Sequence, residues 1–549
     1  MQFFSRYFLT QSSKSKAPVF VREATGLVRE LNWLEAATTS WTGLSIPFSL
    51  VPLFLYSFLF PGAELSTTML VALLGFAPLA LIYAMMVAAM PRSGGDYVFV
   101  SRTLHPVIAL AVVTTLCGWF VFWSGAYGIW IFTLGLSPAF SVIGSITNAP
   151  NLVALSSTLT DPFVTAVGAL IATAVFAALS IVSTKWTFRV LAVMVATSLV
   201  SIAAITVILF AATNQQFQAA FNAYSASYSN STNYYQTILS NAQKAGFAQP
   251  TGFGLWDTIL FIPFGSTLFM YISNIQAFGG EIKRATRTSY YACISTLIIN
   301  GLLCILISLG WEKTITMGFA NLVTYDYVNG AGYVLPVYPS YNFLASLLVS
   351  HSIVGLFLVN VGFVTMGIAI LCLYFVFVPR YLLAGAFDRL FPQRFADVNE
   401  RFHTPHVSVL FSMVLALIFI PFFAYWGSVL SVVSAVLGQM IFGYLLVAIA
   451  AIAFPFMKNT KAMYQASPIN KSVGGIPVIT ILGIISSAFM AWNGFYMLTD
   501  SRYGVNSTIS LTAVVLVAAI APIWYFARNY YLKTKGIDLA MVYHMIPPE

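Results

Sequence analysis

The chain has 549 residues, of which 25 are Lys or Arg and 16 are Asp or Glu, so charged side chains make up only 7% of it and the net charge is +9. A soluble globular protein carries about 25% charged residues, whereas 59% of this sequence is hydrophobic. Such a composition cannot cover a water-soluble surface, and it excludes soluble enzymes and nucleic-acid-binding proteins despite the positive charge.

Twelve apolar runs, separated by polar segments or by Gly and Pro, are long enough to cross a bilayer. Four stretches of more than 50 residues contain no Asp, Glu, Lys or Arg (103–160, 190–243, 327–379 and 402–457), whereas one crossing needs about 20 residues. The sequence predicts an all-α polytopic membrane protein with 12 transmembrane helices, at approximately 33–60, 67–89, 107–136, 162–182, 190–211, 255–278, 291–310, 347–378, 407–425, 429–454, 478–498 and 509–526.

The distribution of basic residues predicts the orientation of these helices. If the spans alternate in direction, all 25 Lys and Arg residues except Lys244, Lys313 and Arg502 fall on one side. Cytoplasmic loops carry the excess of Lys and Arg. We therefore expect a multi-pass protein of the cell membrane with cytoplasmic N- and C-termini.

The outer side is predicted to carry two long uncharged loops, 214–254 and 313–340. The first is rich in Asn, Ser, Gln and Tyr, and the second in Tyr, Gly and Pro. Two N-x-S/T sequons, at Asn230 and Asn506, fall on this side. Because such short patterns often arise by chance, glycosylation at either position stays open.

The first span contains a cluster of residues that weaken a helix. Pro47 has no N–H and clashes with the carbonyl of Gly43, Gly43 is itself unfavourable in a helix interior, and Pro52 follows. The pattern predicts either an interrupted helix or an ordinary proline kink. Lipid offers no partner to freed backbone groups, so a true interruption must line a cavity.

The sixth span contains a comparable cluster. Pro263 and Gly265 are followed by Ser273, Asn274 and Gln276, which are costly in hydrocarbon unless they are paired or face a cavity. Helix-to-helix hydrogen bonding is the alternative interpretation.

Two interrupted spans, five apart, predict an inverted 5+5 repeat with two extra C-terminal helices, because a repeat of five spans must insert its second copy in the opposite orientation. The predicted organisation is a cytoplasmic N-terminal segment 1–30, a first five-helix repeat 31–213, an extracellular loop 214–254, a second inverted repeat 255–457, helices 11 and 12 in 458–526, and a cytoplasmic tail 527–549.

A break inside the bilayer creates two helix ends of opposite partial charge. The N-terminal end offers N–H groups to an anion, and the C-terminal end offers carbonyls to a cation. Such a break suits a zwitterion without any charged side chain.

Four motifs, in order along the chain, resemble signatures of the amino acid–polyamine–organocation permease family. They are 29–31 (R-E-L), 91–97 (P-R-S-G-G-D-Y) with 101–102 (S-R), 263–265 (P-F-G) leading to 279–283 (G-G-E-I-K), and 380–392 (R-Y-L-L-A-G-A-F-D-R-L-F-P) with 404–405 (T-P) in the loop after span eight. The resemblance covers about 500 residues of the chain.

The resemblance implies alternating-access transport of amino acids or related amines, with the substrate on the unwound parts of spans one and six. Carried over by position, the substrate-binding residues are Thr42, Gly43, Leu44, Ser45, Ile46, Tyr271, Ile272, Ser273 and Asn274. The Gly-rich run typical of span one is reduced here to Gly43, and Tyr271 replaces a glycine in span six. Both departures leave the identity of the substrate open.

The coupling ion also stays open between H⁺ and Na⁺. Some members of the family have a lysine in span five that acts like a coupling ion, but residues 195–198 here read V-A-T-S. Thr365 is one possible Na⁺ ligand.

Several other polar and aromatic residues have a structural interpretation beside a functional one. Glu35 and Asp257 lie near span starts, where capping is the simpler role. His351, the pair His403 and His406, and the aromatic face Trp119, Trp123 and Tyr127 are weaker candidates.

The leading hypothesis is a secondary active transporter of amino acids, with neutral ones favoured, or of related amines. An exchanger or a channel-like facilitator without ion coupling is the alternative. The sequence shows neither a set of catalytic side chains nor a soluble output domain, so we expect no enzyme, sensor or cofactor. The expected partners are a small-molecule substrate and membrane lipid.

Overall fold

A computed structural model describes residues 29, 31–229, 231–250, 252–272, 274–399, 401–402, 404–426 and 437–544. These residues are mostly helical. The α-helices are α1 (Trp33–Leu44), α2 (Ile46–Leu55), α3 (Leu65–Ala89), α4 (Gly95–Thr103), α5 (Pro106–Trp130), α6 (Ser137–Ile146), α7 (Pro150–Thr158), α8 (Pro162–Val182), α9 (Thr184–Ala211), α10 (Asn214–Ser225), α11 (Tyr234–Lys244), α12 (Leu255–Ser266), α13 (Ala285–Thr314), α14 (Met317–Asn329), α15 (Tyr341–Leu348), α16 (Ile353–Phe387), α17 (His406–Trp426), α18 (Leu446–Ala453), α19 (Lys461–Ala466), α20 (Val478–Thr499) and α21 (Thr508–Thr534).

Shorter elements connect or interrupt these helices. A two-residue hairpin pairs β1 (Ser472–Val473) with β2 (Ile476–Pro477) in antiparallel register. The π-helical turns are Ile131–Leu136 and Gln439–Leu445, and the 3₁₀ turns are Ser57–Leu59, Thr267–Phe269, Asn274–Ala277, Gly279–Glu281, Gln393–Ala396, Ser501–Tyr503 and Leu539–His544.

Eleven helical segments of the described chain are long and apolar enough to cross a membrane, and each corresponds to a predicted span. They are Trp33–Leu59, Leu65–Ala89, Pro106–Ile146, Pro162–Val182, Thr184–Ala211, Leu255–Ala277, Ala285–Thr314, Ile353–Phe387, His406–Trp426, Val478–Thr499 and Ser510–Thr534. The predicted tenth span, 429–454, begins outside the described residues, and its described part is the shorter apolar helix Gln439–Ala453. The total of twelve spans therefore stays a prediction.

The connections between the helices gather at two ends of the bundle. At one end, which we call the loop side, Gly254 N–H donates to the Gly62 carbonyl (2.7 Å), and the Asn321 side chain donates to the Pro61 carbonyl (3.2 Å). At the other end, the basic side, Gly94 N–H donates to the Ala277 carbonyl (2.9 Å).

Two stretches predicted as outer loops contain helices. Residues 214–254 form α10 and α11, and residues 313–340 contain α14. The N-terminus of α10 is fixed by a capping box in which Thr213 N–H donates to Gln216 Oε1 (2.9 Å). Phe217 and Phe221 are fully buried on one face of α10, so an amphipathic pattern stabilises a segment whose polar composition resembles a loop.

The span boundaries also differ from the prediction at two places. The segment 380–392 was expected to be a loop after span eight, but α16 continues to Phe387. Arg380 lies inside this helix and is stabilised by an ion pair with Glu281. Span three extends past 136 to Ile146, because the π-helical turn Ile131–Leu136 leads directly into α6 and does not end the helical segment.

Candidate functional site

The first span is interrupted at a single residue. α1 ends at Leu44, α2 begins at Ile46, and Ser45 between them has left-handed dihedral angles (φ 43°, ψ 53°). The Ser45 N–H donates to the carbonyls of Trp41 (3.3 Å) and Thr42 (3.1 Å), which closes the first helix. The predicted interruption is present, but Thr42, Gly43 and Leu44 belong to α1 and Ile46 belongs to α2. The break is therefore narrower than the sequence suggested.

Hydroxyl groups stabilise this break from the side. The Ser45 hydroxyl lies 3.2 Å from the Tyr127 hydroxyl and 3.2 Å from the Ser49 hydroxyl, and Ser49 donates to the Leu44 carbonyl (2.8 Å). These contacts satisfy backbone and side-chain groups that lipid would leave without partners.

The interruption of the sixth span is longer and begins earlier than predicted. α12 ends at Ser266, a 3₁₀ turn covers Thr267–Phe269, Met270 is extended, and Tyr271 has a positive φ of 62°. The chain then continues as 3₁₀ turns and does not return to α-helix before α13. Ile272 and Asn274 lie in this segment as expected, while Ser273 lies outside the described residues.

Side chains from three other spans hold this unwound segment. Tyr271 N–H donates to the Tyr444 hydroxyl (2.8 Å), and the Asn300 amide donates to the Leu268 carbonyl (2.9 Å). The Ser266 hydroxyl donates to the Asn493 side chain (3.2 Å). The segment is fixed by polar contacts, because the helical hydrogen bonds that would otherwise satisfy it are missing.

The two breaks lie directly against each other, and Gly43 is the point of closest approach. A Cβ at position 43 would lie 2.0 Å from Asn274 Nδ2, 3.0 Å from Asn274 Cγ and 2.9 Å from Tyr271 Cβ. The Asn274 amide also donates to the Thr39 carbonyl in α1 (3.5 Å). Only glycine permits this packing of span one on span six.

A small cavity of about 40 Å³ lies between the breaks and an aromatic wall. Of the residues predicted to bind substrate, Gly43 and Tyr271 line it, whereas Thr42, Leu44, Ser45, Ile46, Ile272 and Asn274 do not. The other lining residues are Phe48, Ser49, Pro52, Trp123, Tyr127, Trp130, Thr267, Met270 and Gln439. We call this the central cavity.

Part of this lining could have been found from the sequence. Trp123 and Tyr127 belong to the aromatic face already noted in span three, and Trp130 continues it. Gln439, whose amide donates to the Tyr271 hydroxyl, is the one amide side chain in the predicted span 429–454. Trp119, the remaining candidate on that face, is buried away from the cavity.

A second cavity of about 510 Å³ lies towards the loop side. Pro52 and Trp130 line both cavities and so form the boundary between them. The loop segment 335–338 contributes to the wall, as does Tyr327 of α14. No charged side chain occurs in either lining, as far as the described residues go.

The basic side, in contrast, is closed by buried ion pairs. Arg102 of α4 contacts Asp388 (2.6 Å), and Arg380 of α16 contacts Glu281 (3.0 Å). Each arginine makes two hydrogen bonds to its carboxylate, the geometry in which a buried pair best offsets its desolvation.

The glycines of the sequence motifs permit this closure. A Cβ on Gly95 would lie 2.5 Å from the Gln276 carbonyl oxygen, and a Cβ on Gly279 would lie 2.7 Å from the Arg92 carbonyl oxygen. Gly94 adopts a φ of 75° at the start of α4. The motif at 91–97 therefore packs backbone against backbone on the chain that follows the second break.

The remaining candidates have structural roles or no described partner. Glu35 completes a capping box with Asn32, and Asp257 accepts from the Gly62 N–H (2.9 Å).

Thr365 donates to the Val361 carbonyl in its own helix (2.9 Å), which gives no support to a Na⁺ site. His351 is exposed and His403 lies outside the described residues. Within the described chain, no group of three His, Cys, Asp or Glu residues is placed to hold a metal.

Comparison with known proteins gives one finding on identity. A family model described as amino acid permease matches residues 34–520. A comparison with curated proteins gives no match.

Proposed function

The chain belongs to the amino acid permease family, and on that premise we propose that it is a secondary active transporter. It carries neutral amino acids, or related amines, by alternating access. The observation that carries this proposal is the pair of helix breaks packed face to face beside a cavity without charged lining residues.

The two breaks offer complementary ends to a zwitterion. Phe48 and Ser49 N–H groups bond to the Ser45 carbonyl and Pro47 has none, so the N–H of Ile46 is the donor left at the positive end of α2. At the second break, the carbonyl end of α12 points its negative dipole end at the unwound segment. A substrate carboxylate would lie at α2 and its ammonium at the end of α12.

The absence of charge from the described lining favours a neutral side chain on the substrate. A charged side chain would have to be buried without a counter-ion, at a cost of several kcal/mol. The aromatic wall of Phe48, Trp123, Tyr127 and Trp130 instead suits an apolar or aromatic side chain.

On this proposal, the arrangement in the structure is one of the two states of an alternating-access cycle. The larger cavity lies towards the loop side, and the central cavity of about 40 Å³ would have to enlarge to hold a substrate, since ligand pockets usually reach about 300 Å³. The opposite state requires α4 and α16 to separate from residues 274–281. If the basic side is cytoplasmic, as its Lys and Arg content indicates, the arrangement in the structure, with the basic side closed, would face outwards.

Counterflow in proteoliposomes tests the proposal. Vesicles loaded with an unlabelled amino acid should take up the labelled form transiently above equilibrium, and neutral amino acids should outcompete lysine and glutamate. Gly43→Leu should abolish counterflow while the protein still purifies as a monodisperse species. Linear, non-saturating flux without counterflow would indicate a channel, and no flux of any amino acid or amine would refute the proposal.

A further inference from the structure

One carboxyl group lies buried between the second break and the basic side and has no ion-pair partner among the described residues. Asp96, in the first turn of α4, is fully buried. Its Oδ2 accepts from the Gln276 amide (2.7 Å) and from the Tyr381 hydroxyl (2.5 Å). Both donors are neutral. The two neighbouring arginines, Arg102 and Arg380, are committed to Asp388 and Glu281.

Among the described residues, the groups that surround Asp96 on the elements packed against it carry no charge at neutral pH. They are Tyr83 of α3, Cys117 of α5, Gln276, Tyr381 of α16 and Tyr444 of the tenth span. On α4 itself, Tyr97 and Arg102 face Asp388 and Tyr543 instead. Burial raises the pKa of Asp96 above its ordinary value, although hydrogen bonds from Tyr381, Gln276 and Tyr83 lower it. A carboxyl group in such surroundings favours its protonated form.

Asp96 is connected to both the substrate cavity and the closure of the basic side. Gln276 belongs to the 3₁₀ turn that continues the second break, and the Tyr444 hydroxyl accepts from Tyr271 N–H at the central cavity (2.8 Å). The neighbouring Gly95 packs tightly against the same turn, since a Cβ there would lie 2.5 Å from the Gln276 carbonyl oxygen. A movement of residues 274–281 that opens the basic side must therefore break the hydrogen bond between Gln276 and Asp96.

We propose that Asp96 is the binding site of a co-transported proton. It holds the proton while the basic side is closed, and it loses the proton to water there when Gln276 moves away and the carboxylate becomes solvated. This inference rests on the proposed transport function and assigns H⁺ as the coupling ion.

The test compares proton-driven accumulation with counterflow in the same proteoliposomes. For one proton per substrate, the wild-type protein should accumulate a neutral amino acid about tenfold for each unit of imposed pH difference. Asp96→Asn should lose this accumulation and retain measurable counterflow at equal pH, because exchange requires no net proton movement. Asp397→Asn, which alters an exposed carboxylate on the same side, is the matched control and should behave as wild type.

Other outcomes separate the two proposals. Wild-type counterflow without any effect of the pH difference, or continued proton-driven accumulation by Asp96→Asn, would overturn the role of Asp96 and leave the transport function intact. No counterflow in the wild type would remove the transport function itself.

A second variant tests the proton-binding role of Asp96 if Asp96→Asn does not fold. Tyr381→Phe removes a hydrogen bond that favours the carboxylate, so the midpoint of the pH profile of uptake should move to higher pH by about one unit. An unchanged midpoint would overturn the proposal. The infrared carbonyl band of the protonated carboxyl group should titrate with its midpoint moved to higher pH by the same amount.

Discussion

Replacing Gly43 by alanine probes the contact between the two breaks most simply. The added Cβ would lie 2.0 Å from Asn274 Nδ2 and 2.9 Å from Tyr271 Cβ, whereas ordinary contact begins at 3.4 Å. The Asn274 amide can swing away, but the Tyr271 Cβ is fixed to the backbone of the unwound segment. The two breaks must therefore separate by roughly half an ångström, and more if the Asn274–Thr39 hydrogen bond is to survive.

This displacement determines the expected loss of substrate affinity. Overpacking of a core costs about 1–3 kcal/mol, and a misplacement of about 1 Å at a reacting or binding centre costs about a hundredfold. We expect Gly43→Ala to weaken substrate affinity by 10- to 100-fold, roughly 1.4–2.7 kcal/mol. The double variant Gly43→Ala/Asn274→Ala should recover part of this loss, because it removes two of the three close contacts.

Gly118→Ala is the matched control for this experiment. Gly118 also lies in a membrane-spanning helix, but a Cβ there would meet only Val517 Cγ1 at 3.7 Å. The assay is the concentration dependence of counterflow for each variant, with thermal unfolding in detergent as a measure of folding. Equal affinity in Gly43→Ala and Gly118→Ala would refute the claim that substrate lies between the two breaks.

Three further predictions concern the supports of the site and its surroundings. Tyr444→Phe leaves the buried Tyr271 N–H without an acceptor, so substrate affinity should fall about tenfold, measured by counterflow; an affinity equal to wild type would show that this support is dispensable. Glu281→Gln breaks the buried pair with Arg380 and should cost about 3–5 kcal/mol of stability, seen as a lower unfolding temperature, whereas no change would mean that the pair is not needed for closure. Burial raises the pKa of Asp326 to about 7, and neither of its carboxylate oxygens has a hydrogen-bond partner in the described structure. Its contribution to folding stability is therefore fully present below pH about 4 and is lost as pH rises through 7. Asp326→Asn should unfold at a higher temperature than wild type at pH 8 and at the same temperature at pH 4, and an equal gain at both pH values would contradict this reasoning.

The positions of the breaks could be predicted from the sequence, because their cause is local. Pro47 removes a donor from the first span whatever surrounds it, and Pro263, with the polar residues after it, marks the sixth. The extents could not be predicted in the same way. The unwound segment after Ser266 is held by Asn300, Tyr444 and Asn493, which are distant in sequence and show no pattern that links them to it.

The closure of the basic side illustrates the same limit. The motif at 91–97 identified the segment, but its physical reason is the close approach of Gly95 to the backbone of Gln276, which requires the tertiary packing. The isolation of Asp96 from Arg102 and Arg380 likewise depends on ion pairs formed across nearly 300 and about 100 residues of sequence. From the sequence, this aspartate is noted only as part of the motif at 91–97.

The pair of breaks also explains why the site needs so little charge. Helix ends supply partial charges of about half a unit each, and they are fixed in place by hydroxyl and amide side chains. On the proposed function, the substrate must be released on the other side of the membrane. Partial charges that separate if α1 and the unwound segment move apart would serve both binding and release by the same contact.

A cryo-electron microscopy structure of the protein in lipid nanodiscs, saturated with the neutral amino acid that gives the strongest counterflow, tests the central claim most directly. We predict density for one substrate molecule in an enlarged central cavity, with its carboxylate at the start of α2 and its ammonium against the unwound segment that contains Tyr271. Substrate density elsewhere in the bundle, or a continuous α-helix through Ser45 in the occupied protein, would contradict the account.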